Sequence, residues 1–337
     1  MNFGKVTQCM LFGGGQLLSE LALKLVNEGF KVLVVTSERH SEELICVDET
    51  HLSLKNFLIE KGINYVVSSN VNNDNAVISR ITDSTIGISM GAAWIFRTEF
   101  INHFGGRLVN LHGTRLPQDR GGGGFSWRIL RSERLGYSII HQIDPGVDTG
   151  DIIKYKEYFY PPSCRLPVDY QNYTIKQYHI LLEEFFNEII SGMDFHKLSQ
   201  QEYLSEYWPR LSTDLHGYID WSWRLRDIEQ FICAFDDPYR GASTFINGIK
   251  VRVKSCFSST NDGVFHPFQK GIVYRISAGA LFVATEDGTL IIKSVSTESG
   301  EDFIKQISVG DRLYTPLKYI EDAKLFRAIY TPTGLKK

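Results

Sequence analysis

The amino-acid sequence predicts an α/β protein in which a parallel sheet with helices on both faces is followed by a small antiparallel barrel. Three observations lead there. From Val6 to Leu111, apolar runs of strand length alternate with stretches of helical periodicity. That alternation calls for right-handed crossovers and a parallel sheet. Beyond about residue 215 the pattern changes to short β-rich runs separated by Asn247-Gly248 and Asp287-Gly288, pairs that favour tight hairpin turns. Finally, 337 residues with 43% hydrophobic and 22% charged side chains are enough for two domains with real cores.

Val6 to Phe12 reads as the first strand, running into Gly13-Gly14-Gly15, and Gln16 to Gly29 as a helix with Leu17, Leu21, Leu25 and Val26 on one face. Lys31 to Thr36 has the continuous apolar character of a strand buried in a parallel sheet. Such a βαβ opening raises the question of a dinucleotide site. The fingerprint GxGxxG would need glycine where Leu18 stands, and Glu38 reads better as a charged loop residue than as a ribose ligand. The glycines read instead as a tight turn facing a substrate phosphate or another ligand.

His51 to Gly62 is expected as a helix, Tyr65 to Ser68 as a short strand, Asn70 to Asn75 as a turn and Ala76 to Thr82 as a helix. Ser84 to Met90 then forms a strand ending in Gly91-Ala92-Ala93-Trp94; Phe96 to Phe104 is helical, and Arg107 to Leu111 is the next strand. In open parallel sheets ligands sit at the carboxyl ends of strands, which is where Met90, Asn110 and the glycine turn fall. Phe125 to Arg134 reads as a helix with Trp127 on its inner side, and Lys154 to Tyr160 as an extended segment leading away. Tyr173 to Ser191 is an amphipathic helix whose Tyr178, Leu181, Leu182, Phe185 and Ile189 read as core.

Tyr207-Trp208-Pro209-Arg210 interrupts the helical pattern and places a boundary that divides the chain into 1–205 and 206–337. The second part opens with Ile219-Asp220-Trp221, a helix from Leu225 to Ala234 and Asp237-Pro238-Tyr239-Arg240-Gly241-Ala242. Strands follow at Ser243 to Ile246, Ile249 to Val253, Gly271 to Ile276, Ala280 to Ala284 and Thr289 to Ser294.

A net charge of −3 gives no general attraction to nucleic acid or an anionic membrane. No apolar run approaches the roughly 20 residues of a membrane span, and the start of the chain lacks a signal-peptide pattern. Cys9, Cys46, Cys164, Cys233 and Cys256 are scattered and odd in number, as expected of reduced thiols in a cytoplasmic protein.

The chemistry concentrates between Arg107 and Ile153. Asn110 and His112, two apart at the end of an apolar run, point the same way from an extended backbone. His141 ends the run that begins at Tyr137, and Asp148 follows in a Gly-flanked loop. An amide and an imidazole can hold a developing oxyanion while a carboxylate manages the proton of an attacking amine. Two histidines and an aspartate could instead bind zinc with an open fourth position, although nothing here has HxxEH spacing.

Asn110-Leu111-His112, Leu116-Pro117, Arg120-Gly121, and His141 seven residues before Asp148-Thr149-Gly150 together resemble the folate-dependent formyltransferase family. The Trp-Ser-Trp and Asp-Pro-Tyr-x-Gly-Ala elements resemble that family's C-terminal OB-like domain, as in its transfer-RNA and sugar enzymes, so the resemblance spans nearly the whole chain. Arg240 stands where those enzymes usually carry proline, and the run Gly121 to Gly124 departs from the transfer-RNA enzymes. The resemblance implies a Rossmann-like first domain and a catalytic triad of Asn110, His112 and Asp148. It also implies N10-formyltetrahydrofolate as co-substrate, held by Met90, Gly91, Ala92, Trp94, His141, Gln142, Ile143, Asp144 and Val147. The pterin contacts are expected mainly from backbone.

The expected acceptor is the primary amine of a nucleotide-linked amino-deoxy sugar, of the kind used in surface polysaccharides. The glycine run would let backbone approach a diphosphate, with Arg115, Arg120, Gly121 and Gly122 as its partners. The alternatives are methionyl-tRNA as acceptor, or a non-catalytic protein that binds folate or nucleotide. Small-molecule partners are expected, with no nucleic acid, membrane or resident metal, and a homodimer is a candidate assembly.

Overall fold

The structure, a computed structural model, describes residues 1–47, 50–121, 124–331 and 334–335. Strand β1 (Gln8–Gly13), helix α1 (Gly15–Asn27) and strand β2 (Lys31–Thr36) form the opening βαβ unit. A one-turn helix α2 (Glu38–Ser41) follows, then a hairpin of β3 (Leu44–Val47) and β4 (Thr50–Ser53), then α3 (Leu54–Glu60) and β5 (Asn64–Val67). After α4 (Asn75–Ile78) come β6 (Thr85–Met90), α5 (Thr98–Asn102), β7 (Leu108–His112), α6 (Gly124–Leu130), β8 (Leu135–Gln142), β9 (Ile152–Phe159) and the long α7 (Pro167–Ile190).

One sheet runs β5-β2-β1-β6-β7-β8-β9. The first five strands are parallel, and β8 and β9 are antiparallel. Alternate residues of β1 sort to its two faces as strand geometry demands. Cys9 and Leu11 join a core with α1, α3 and α7, whereas Met10 and Phe12 pack with Phe96, Phe100 and Phe104 around α5. Helices thus cover both faces, as the sequence alternation predicts.

The structure departs from the sequence expectations at three places in this half. The start of the expected helix from His51 is a strand, because Thr50 to Ser53 pairs with Leu44 to Val47 and only then does Ser53 cap α3 by accepting from Asn56 N at 3.2 Å. The segment after Lys154 does not lead away: Ile152 to Phe159 pairs with β8 and closes the sheet's edge. The long helix begins at Pro167 rather than Tyr173, since proline suits a first helical turn and Asp169 accepts from Arg165 N and Leu166 N, both at 2.9 Å.

The remaining elements are α8 (Thr213–His216), α9 (Leu225–Ala234), β10 (Ala242–Ile246), β11 (Ile249–Ser259), β12 (Val273–Ser277), β13 (Ala280–Thr285), β14 (Gly288–Thr297), β15 (Leu313–Tyr314), α10 (Leu317–Leu325), β16 (Tyr330–Thr331) and β17 (Gly334–Leu335). The sheet β12-β13-β14-β11-β10-β15 is antiparallel. Its outer edges meet: Ile272 bridges Arg312, and Leu313 N donates to Gly271 O at 2.8 Å. Helix α9 covers this sheet, and the core includes Ile129, Tyr158, Tyr160 and Tyr170 from the first half of the chain. The two halves therefore share apolar contact, reinforced by Ser126 Oγ donating to Ala234 O at 2.8 Å.

Candidate active site

The register of the sheet assembles the site. Asn110 on β7 lies directly opposite His141 on β8, so the antiparallel edge brings together two residues 31 apart in sequence. A register shift between Ile140 and His141 against β9 accompanies this pairing, and such irregularities re-aim side chains beside active sites. The facing atoms, Asn110 Nδ2 and His141 Nε2, are 3.0 Å apart. His141 Nδ1 lies 2.8 Å from the carbonyl of Gln142 and donates to it. Neutral, the ring therefore accepts through Nε2 and fixes which way the Asn110 amide faces. The second amide N–H is left for another acceptor.

Asp148 enters from the loop between β8 and β9. Its Oδ1 is 3.6 Å from His112 Nδ1 and 3.7 Å from His141 Nε2. Burial alone would raise its carboxyl pKa, but His141, His112 and the N–H of Gly121 outweigh that and hold it at about 2. Asp148 is thus an anion at any physiological pH. Its backbone has a φ of +55°, a left-handed conformation that aspartate tolerates better than most side chains. The loop is shaped from within by Asp144, whose Oδ1 accepts from Gly146 N at 3.1 Å and Thr149 Oγ1 at 2.5 Å. Gly150 must be glycine, because a Cβ there would stand 2.0 Å from Gln142 O. From outside, Gln200 Nε2 donates to the carbonyls of Asp148 (2.9 Å) and Gly150 (2.7 Å).

His112 is buried, and burial pushes its pKa down, with His141 adding to the fall and Asp148 opposing it. Thr114 sets the tautomer. Its Oγ1 lies 2.7 Å from both Asp119 O and His112 Nε2. A carbonyl can only accept, so the single hydroxyl proton goes to Asp119 and His112 Nε2 donates to the hydroxyl. Neutral His112 then turns a bare Nδ1 toward Asp148 Oδ1. Two acceptors 3.6 Å apart with no proton between them form a receptor for one.

These groups lie on a cavity of about 650 Å³ lined by Asn110, His112, His141 and Asp148, a size suited to a small ligand. Of the residues expected for the co-substrate, Gly91, Ala92, Trp94, His141, Ile143, Asp144 and Val147 line it. Met90 is buried in the core below, and the Gln142 side chain turns away to donate to Gly106 O at 2.8 Å. Among the expected acceptor residues that the structure describes, only Gly121 lines the cavity. The Arg120 guanidinium is buried and bound to Gln200 Oε1 at 2.9 Å and Glu202 at 2.7 Å. Arg115 lies alongside Asp119, with Nε 3.9 Å from its carboxylate. Gly122 lies outside the described residues.

Sequence reasoning missed Thr114, Gln200, Tyr178 and the cavity-lining group Arg39, His40, Glu43 and Arg210. Arg39 and His40 carried one usable signal, since they follow the carboxyl end of a parallel strand. Tyr178, read from periodicity as core, turns one face to the cavity. Gln200 had no local signal.

His112, His141 and Asp148 each present a ligand atom within 4.8 Å of the others, so a metal ion is sterically conceivable. Asn110, however, already bonds the His141 nitrogen that such an ion would need.

An amide with an N–H to spare beside an imidazole–carboxylate pair is an arrangement that group transfer of the acyl kind can use. Residues 8–159 match the family described as formyl transferase, and residues 212–307 match its C-terminal domain. The chain belongs to the formyl transferase family. A methionyl-tRNA formyltransferase of Ruminiclostridium cellulolyticum is 23% identical over 86% of this chain and 94% of its own length. One of Syntrophus aciditrophicus is 27% identical over 61% of this chain and 62% of its own length. Among solved structures, an N-formyltransferase of Helicobacter canadensis in complex with folinic acid and dTDP-3-aminofucose aligns with TM-score 0.64 at 18% identity, over 88% of this chain and 100% of that one. WlaRD, a sugar 3N-formyl transferase solved with dTDP and 5-N-formyl-THF, aligns at 0.63 and 20% identity, over 85% and 96%.

Proposed function

We propose that the protein transfers the formyl group of N10-formyltetrahydrofolate to the primary amine of a nucleotide-linked amino-deoxy sugar, and that it serves surface-polysaccharide synthesis. The observation that carries the reading is the division of one cavity into three walls. Gly91 to Phe96 and Ile143 to Val147 offer backbone and apolar surface suited to a flat heterocycle. Arg39 and Arg210 offer positive charge suited to phosphates, and the Asn110–His112–Asp148 group lies on the same cavity. The two sugar enzymes above were each solved with a folate and a thymidine-diphosphate compound, which supports the same division.

The folate supplies the formyl group. The chain's own residues do the rest. The free N–H of the Asn110 amide stabilises the oxygen that becomes negative as the amine attacks, and each such donor is typically worth about 3 kcal/mol. The space between His112 Nδ1 and Asp148 Oδ1 receives the amine's proton, forming an imidazolium that the Asp148 carboxylate stabilises; the imidazolium then returns a proton to the nitrogen released when the bond between the formyl carbon and N10 breaks. Thr114 and His141 are positioning residues. In this reading residues 1–205 carry the chemistry and 206–337 complete the cavity's rim through Arg210.

Methionyl-tRNA is the second reading, favoured by the similarity to the methionyl-tRNA formyltransferases above. The test presents nucleotide-linked amino sugars and methionyl-tRNA in parallel with formyltetrahydrofolate and reads product mass. Formylation of the sugar nucleotides is the expected result. Turnover of the tRNA alone would overturn the acceptor.

A further inference from the structure

We propose that Arg39, His40 and Arg210 form the subsite that takes the acceptor's diphosphate, with Glu43 as the internal carboxylate that the diphosphate displaces. The inference rests on the acceptor reading above and deepens it.

All four residues line the cavity that also holds Asn110, His112 and Asp148. His40 is only 5% exposed, yet among the described residues its Nδ1 has no hydrogen-bond partner. Its other nitrogen, Nε2, accepts from Arg39 Nη2 at 2.6 Å. A buried imidazole nitrogen without a partner is unusual enough to call for a ligand. Glu43 Oε1 lies 3.5 Å from Arg39 Nη1 and 3.7 Å from His40 Nε2, so a carboxylate already sits among the basic groups.

Two guanidinium groups, those of Arg39 and Arg210, act on the other members of the cluster. Burial, Arg39 and Arg210 together push the His40 pKa down to about 4, so the ring is neutral here. Burial raises the Glu43 carboxyl even though Arg39 and Arg210 pull it down. That carboxylate is poorly solvated where it sits, and a multiply charged anion would replace it with gain.

The position adds to the case. A Cβ on Gly14 would meet the His40 Cβ at 2.7 Å and Glu43 Oε2 at 3.2 Å, so the cluster packs against the start of α1. That 13-residue helix has no side-chain cap, and its N–H groups and dipole favour an anion. Arginine's fork suits phosphate oxygens in pairs. Because Nε2 accepts from Arg39, the neutral His40 ring carries its proton on Nδ1, which can donate to a phosphate oxygen.

The experiment measures inorganic pyrophosphate binding by calorimetry to wild type, Arg39→Gln, Arg210→Gln and Glu43→Gln, alongside folate binding to each. Pyrophosphate is expected to bind wild type and to weaken about tenfold or more in the arginine variants, the usual scale of a charge-assisted contact. It should bind more tightly to Glu43→Gln, a gain that misfolding cannot imitate. Folate affinity should be unmoved, and KM for a sugar-nucleotide acceptor should rise in the arginine variants.

No pyrophosphate binding to wild type, equal binding to all four proteins, or weakening of folate instead would overturn the subsite. The two readings fail separately. Arginine-dependent pyrophosphate binding without formylation of any sugar nucleotide keeps the subsite and removes the acceptor. Sugar-nucleotide turnover with an unchanged KM in the arginine variants does the reverse.

Discussion

The junction of β7 and β8 and the flank of the C-terminal barrel both bury charge, and they treat it in opposite ways. In the barrel, Arg252 is 2% exposed and bonded through all three nitrogens: Nε donates to Glu298 at 2.5 Å, Nη2 to Asp214 at 2.6 Å, and Nη1 to Gly241 O at 3.3 Å. Burial would lower its pKa, but the two carboxylates more than reverse this. At the junction, Asp148 faces two imidazoles at 3.6 and 3.7 Å, too far for good hydrogen bonds, on a left-handed backbone. One region spends its charges on holding together. The other leaves two acceptors, His112 Nδ1 and Asp148 Oδ1, facing each other with room for a proton, as the proposed mechanism requires.

The largest effect expected from this contrast is catalytic. Asp148→Asn keeps the shape and removes the charge, so turnover should fall by roughly 10²–10⁴-fold, accompanied by the moderate drop in melting temperature that losing a carboxylate held at about 2 entails. His112→Asn should be as damaging, and the double variant little worse than either, because the pair acts as a unit. Steady-state rates with unfolding curves check this. Near wild-type turnover in folded Asp148→Asn would remove Asp148 from the mechanism.

The barrel should answer in stability instead. Glu298→Gln leaves a buried guanidinium with one carboxylate. Breaking a fully buried pair costs about 3–5 kcal/mol. The Glu298 side chain is 42% exposed, so about 1–3 kcal/mol is the fitting scale after solvent screening. Denaturant unfolding measures it, with kcat unchanged. A large loss of kcat in the folded variant would mean that the two regions are coupled.

The legibility of the two regions differed for the same physical reason. The five parallel strands (β1, β2, β5, β6 and β7) and α9 could be read because periodicity reports burial, and burial dictated those elements. Asn110, His112 and Asp148 were readable through a motif that lies within one stretch of chain. The antiparallel edge was not, because strand direction is settled by pairing and not by composition; β8 and β9 have no local mark of it. Gln200 and Arg210 reach the site from far along the chain, and only the folded sheet brings them there. Arg120, read as an anion partner from its place beside the glycines, turns its charge to Glu202 instead.

Thr114 sharpens the comparison at lower amplitude. Thr114→Val removes the hydroxyl that fixes the His112 proton on Nε2. kcat should fall about tenfold, the low side of what misplacing a general base costs, and the pH–rate profile should shift. Thr114→Ser should restore both. A kcat loss without any change in pH profile would reduce Thr114 to a packing role.

A smaller effect concerns stability against pH. His40 has a folded pKa of about 4 against an ordinary 6.5, so between those values the unfolded chain binds more protons. This contribution is complete above pH 6.5 and declines as pH falls toward 4. Asp148, held at about 2 against 3.8, adds a further loss only below about pH 4. His40→Asn should flatten the upper part of the curve and leave the lower part. An unchanged slope between pH 6.5 and 4 would show that His40 does not set it.

The last effect is expected to be nil, and it tests what the junction is for. His112, His141 and Asp148 could close around a metal ion, since their ligand atoms lie within 4.8 Å of one another. Zinc would require bare nitrogens on both rings and would take the His141 Nε2 that now accepts from Asn110 at 3.0 Å. It would also fill the space between His112 and Asp148 that is assigned here to a proton. A metal site and a proton-receiving site are therefore exclusive uses of the same atoms. Extended dialysis against a strong chelator should leave turnover unchanged, and added zinc should inhibit by occupying the proton's place. Loss of turnover on chelation with recovery on stoichiometric zinc would reverse the assignment: His112 and Asp148 would be ligands, and the proton would have to leave by another route.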